Sequence, residues 1–153
     1  MNHQLVFVAV MWLCSGYAVL RGGGPERASA ALMLISANVS ELVLSPATFS
    51  ASRFSHLEAG VFVVDLIDYA ASLLIMLRAE RFWTIWMSAL FGVELLAHLL
   101  AIPGLPSLNL TYAILERIWG YPLVLLPAIG AWRHRQRLKT YGADRSWSVS
   151  SSQ

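Results

Sequence analysis

The sequence predicts an all-α, polytopic membrane helix bundle, and composition, apolar block length and the placement of basic residues each point that way. Of 153 residues, 57% are hydrophobic and 13% charged, against roughly a quarter charged in soluble domains. A soluble globule this small has too much surface for so few charges to cover. Apolar blocks occupy residues 5–20, 28–44, 59–77, 82–102 and 108–132, and several approach the ~20 residues a helix needs to cross hydrocarbon. Residues 1–139 are therefore expected to form five transmembrane helices, with 140–153 as a disordered cytoplasmic tail.

The first block could be taken for a secretory signal, but Met1 to Gln4 carries no Lys or Arg, whereas Arg21 and Arg27 follow the block. That charge order predicts an uncleaved helix inserted with its N-terminus outside. Cys14 is the single cysteine and has no partner for an intramolecular disulfide. The second block is the most polar, carrying Asn38 and Glu41, and a re-entrant or peripheral segment is its alternative. Without it the parity reverses, and either the Arg133 to Lys139 cluster or Arg21 and Arg27 would be exported, against the positive-inside tendency. Five spans satisfy that rule, since all but Arg53 and Arg117 of the 11 Lys and Arg then fall on one side.

Residues 45–58, with Pro46, Phe49, Phe54 and Leu57, suggest a short helix on the outer surface. Arg78-Ala-Glu-Arg81 separates the third and fourth blocks, and Pro103, Gly104 and Pro106 separate the fourth and fifth. In the fifth block Pro122 and Pro127 are expected to kink the helix, each removing a backbone donor. Trp12, Trp83, Trp86, Trp119 and Trp132 recur near block ends, where aromatic rings suit the headgroup boundary. In general layout the chain resembles small polytopic inner-membrane proteins of bacteria, which implies a multi-pass protein of the cytoplasmic membrane. The Asn- and Asp-containing motifs of lipoprotein signal peptidase, a similarly small membrane enzyme, are not present around Asp65 or Asp68.

Acidic residues carry the functional expectation. Glu41, Asp65, Asp68, Glu94 and Glu116 all lie within the apolar blocks, where an acid costs ~2.5 to 3.5 kcal/mol even on lenient insertion scales. With alternating helix directions and a rise of ~1.5 Å per residue, Glu41 lies roughly 5 Å below the outer boundary, His98 about 6 Å, and Asp65, Asp68, Glu94, Glu116 and Arg117 roughly 9 to 14 Å. All are thus expected in the outer half. Helical spacing aligns Asn38 with Glu41, Asp65 with Asp68 and Ser72, and Glu94 with His98, while Tyr69 lies beside Asp65. Asp65, Asp68, Glu94, His98 and Glu116 are the expected proton- or cation-binding groups, with Glu41, Asn38, Tyr69 and Arg117 in support. Glu94 and His98, four residues apart, are also the candidate metal ligands. Five carboxylates against Arg117 cannot all stay charged unaided; they retain protons, bind a cation or face water.

Three functions follow from that layer. The first is proton- or cation-linked transport by an oligomer, because so short a chain cannot enclose a path alone. The second is a non-catalytic accessory subunit of a larger membrane complex. The third is an intramembrane hydrolase using paired carboxylates or a metal. A non-enzymatic role is preferred. The sequence assigns no cofactor: Gly22-Gly23-Gly24 lacks the Lys-Ser/Thr ending of a phosphate loop, and bis-histidine haem ligation would need a dimer. The expected partners are the bilayer and either a second copy or a larger complex. Nucleic acid is not among them, because the basic residues sit in short loops and the tail.

Overall fold

The computed structural model describes residues 2–43, 59–97, 106–145 and 147, including their side chains except those of 2–4, 41, 43, 59 and 106–119. Five helices account for nearly all of it: α1 (Asn2–Arg21), α2 (Gly24–Val43), α3 (Ala59–Arg78), α4 (Phe82–Ala97) and α5 (Pro106–Tyr141). Among the described residues there is no strand, only an isolated antiparallel bridge between Ala79 and Trp147. The expected surface segment at 45–58 lies outside the described residues.

Helix ends follow local chemistry. α2 begins four residues before the second apolar block, because Pro25 suits a first turn and Glu26 complements the positive end of the helix dipole. The Thr84 hydroxyl donates to the Arg81 carbonyl at 2.6 Å, fastening the start of α4. α5 runs unbroken through Pro122 and Pro127. It ends at Gly142, whose φ of 72° is the left-handed conformation that caps helices, with its N–H donating to the Leu138 carbonyl at 3.0 Å. Residue 140, where order was expected to stop, is still helical, and the chain then turns back toward the bundle.

The helices form a ring in chain order that closes between α5 and α1, with α2 also touching α5. Phe7 packs edge-on against Tyr121, and Ala18 meets Ala131, so α1 and α5 run parallel. Met11, Met33, Trp83, Met87, Phe91, Leu123 and Val124 fill the middle.

Polar side chains share the interior with the apolar core, and large apolar side chains share the outside with the charged ones. Ser15, Glu26, Ser29, Asp68, Ser72, Arg81, Thr84, Ser88 and His134 are buried, while Leu13, Leu20, Leu42, Leu77, Phe82 and Leu96 face outward. Leu42 is 85% exposed and Glu26 wholly buried, the extremes of the two sets. Among the described residues one helical stretch, Gly60–Arg78, is both long and apolar enough to cross a membrane, with 19 residues and a mean hydropathy of 2.0; Leu5–Arg21 and Phe82–Ala97 are shorter apolar helices.

Candidate functional site

Two polar centres lie inside the bundle. The first is on α3, where Asp68 is 4% exposed and the Ser36 hydroxyl of α2 donates to its Oδ2. Asp65, three residues earlier and half-buried, is close enough to act on the charge of Asp68. Ser72 continues this face: its hydroxyl donates to the Tyr69 carbonyl at 2.8 Å and lies 3.4 Å from the Ser88 hydroxyl of α4. The Tyr69 ring packs onto α4 at Gly92, where an added Cβ would come within 3.1 Å of it. A buried carboxyl whose partners are a hydroxyl and another carboxyl can exchange a proton or accept a cation with a change in local charge.

Other expected members of this site are less gathered. Asn38 is exposed and donates to the Leu34 carbonyl of its own helix at 2.7 Å. Its amide is satisfied locally, so the inward polar face of α2 carries Ser29 and Ser36 instead. Glu94 is half-buried on α4. Glu41 is on the last turn of α2, and Glu116 and Arg117 are on α5, with side chains outside the described set. His98 lies outside the described residues, so the Glu94–His98 metal pairing has no geometry here. Among the described residues no group of three or more His, Cys, Asp and Glu is arranged to hold a metal.

The second centre, at the end of the bundle where α1 meets α2 and α3 meets α4, was not anticipated. Arg81 donates through Nη1 to Asp144 Oδ1 at 2.9 Å and through Nη2 to Oδ2 at 2.6 Å. Arg137 Nε donates to Oδ1 at 2.9 Å, and His134 Nδ1 lies 2.6 Å from Oδ2. Burial pushes the Asp144 carboxyl up, but the hydrogen bonds from Arg81, His134 and Arg137 outweigh it and hold the group below the usual aspartate range.

Behind Arg81 sits Glu26, with Oε1 3.4 Å from Arg81 Nε, an ion pair without hydrogen-bond geometry. Gly130 lets α5 approach this group: a Cβ there would fall 2.7 Å from the Trp83 indole and 3.2 Å from Glu26 Cγ. Trp147 closes the cluster from outside, lying against Gly24, where a Cβ would meet its Nε1 at 2.1 Å. Two acids, Glu26 and Asp144, are thus matched by Arg81 and Arg137. The arrangement is a clamp, with charge balanced and donors saturating Asp144.

Comparison with known protein families, curated proteins and solved structures finds no match.

Proposed function

We propose that the chain is a multi-pass membrane protein of the bacterial inner membrane, with its N-terminus outside and the clamped, basic end in the cytoplasm. In this reading Asp68, with Asp65, is a proton- or cation-exchanging site that serves transport in an oligomer. The many large apolar side chains turned outward support membrane residence, because monomeric soluble proteins rarely carry large exposed apolar patches. Lipid removes their cost, and helix contacts then rest on close packing and interhelical hydrogen bonds such as Ser36 to Asp68. Orientation follows from Arg21, Arg78, Arg133, Arg135 and Lys139 at one end.

The observation carrying the functional half is the burial of Asp68 on the most apolar long stretch, with a neutral hydroxyl as its hydrogen-bond donor. Intramembrane acids of this kind mark ion or proton pathways by default. Reconstitution into vesicles loaded with a pH-sensitive dye tests it. An imposed proton or cation gradient should collapse faster with the wild-type chain than with Asp68→Asn at equal incorporation. Equal rates in both would end the transport reading, and stoichiometric co-purification with another membrane protein would favour the accessory-subunit alternative.

A further inference from the structure

A notch of about 190 Å³ between α1 and α5 is lined by Tyr17, Trp132, Arg135, Gln136 and Lys139. We infer that it holds the phosphate headgroup of an anionic phospholipid of the cytoplasmic leaflet; this rests on the membrane orientation proposed above.

The four α5 residues stand at spacings of three, four and seven and so form one stripe. Ala18 packs on Ala131, which puts their neighbours Tyr17 and Trp132 at the same height. There the apolar part of α1 ends at Arg21 and that of α5 gives way to Arg133. Aromatic rings at such a boundary sit against glycerol and acyl groups, while the basic heads reach outward to phosphate.

Charge distribution around α5 selects the ligand. His134 and Arg137 point to Asp144, and they lie two positions from Trp132 and Arg135, about 200° around the helix. The acid at this end is therefore consumed on the opposite side of α5. Among the described residues no acidic side chain lines the notch, and Arg135 and Lys139 have no ion-pair partner. A guanidinium fork, an ammonium and the amide of Gln136 together suit a phosphodiester, which carries one negative charge and several acceptor oxygens.

The test is native mass spectrometry of the full chain released from detergent in the presence of equal phosphatidylglycerol and phosphatidylcholine. The wild-type chain should retain the anionic lipid preferentially. At ~1 kcal/mol per basic residue near such a surface, the double variant Arg135→Gln, Lys139→Gln should lose roughly thirtyfold of that preference. Arg145→Gln, an exposed basic residue outside the notch, should keep it. A double variant with undiminished preference, an equal loss in Arg145→Gln, or displacement of the lipid by inorganic phosphate at the same concentration would each overturn the assignment. Helicity by circular dichroism is measured alongside. If the double variant loses helicity, the single variant Arg135→Gln decides: reduced preference supports the site and full preference removes it. Alkaline carbonate extraction separates the two readings, because a chain that stays in the membrane yet shows no headgroup preference loses only this inference.

Discussion

Asp68 and Asp144 are both largely buried carboxylates, yet their surroundings differ in kind. Asp144 is surrounded by Arg81, Arg137 and His134, and a second acid, Glu26, shares Arg81. Asp68 receives a hydroxyl from Ser36 and faces Asp65. Acids matched by cations fix geometry, because removing any one member strands a charge. An acid whose hydrogen-bond donor is a neutral hydroxyl can change its protonation or bind a cation without stranding a basic partner. The basic end is thus held by opposed charges, whereas the α2–α3 interface is the place where the proposed exchange would occur.

Breaking the clamp should give the largest effect. Arg81→Ala leaves Glu26 and Asp144 without their shared cation, and removal of one partner from a buried pair costs about 3 to 5 kcal/mol. Unfolding in detergent, followed by circular dichroism, measures it; a loss under ~1 kcal/mol would deny the cluster its structural role. Gly130→Ala drives a methyl group into the Trp83 indole, and overpacking of that kind costs about 1 to 3 kcal/mol.

Acid should loosen the same end more gradually. Because the Asp144 carboxyl is held below its ordinary value, its contribution is complete above about pH 4, the unfolded value, and disappears as pH falls through the lowered folded value. Asp144→Asn should remove that part of the acid dependence, seen as a flatter stability profile below about pH 4. At the other centre, Ser36→Ala deletes one hydrogen bond to Asp68 and should cost about 1 kcal/mol. Asp68→Asn keeps an acceptor for Ser36 and should cost no more than a typical hydrogen bond, about 1 kcal/mol, while altering any gradient-driven flux. A large stability loss in Asp68→Asn would make the two centres alike and remove the distinction.

Much of the architecture was readable in one dimension. The apolar blocks mark all five helices, since helix-length hydrophobic runs are a local signal. Asp68 was legible for the same reason: an acid inside such a run stands out without any knowledge of its neighbours. Ser36 was not, because serine is ordinary in a helix and its role appears only when α3 lies beside it. One cue was available in Pro25-Glu26, a helix-start signature that extends α2 backward and puts Glu26, Ser29 and Ser36 at spacings of three and ten on one face. The clamp was illegible for a different reason. Arg81 and Asp144 are 63 positions apart, and arginines at block ends read first as orientation signals. Pairing across that separation depends on the α5 end turning back at Gly142, which no local pattern announces.

Arg81 takes one acid from the first turn of α2 and another from the turn that follows α5. Glu26 is made before Arg81, whereas Asp144 is made only after α5. This end of the bundle can therefore be joined only once α5 has been made, like a strap buckled after packing. A chain interrupted at Tyr141 would leave Arg81, His134 and Arg137 crowded together with no aspartate between them, so a cut or tag placed between Tyr141 and Trp147 should loosen this end.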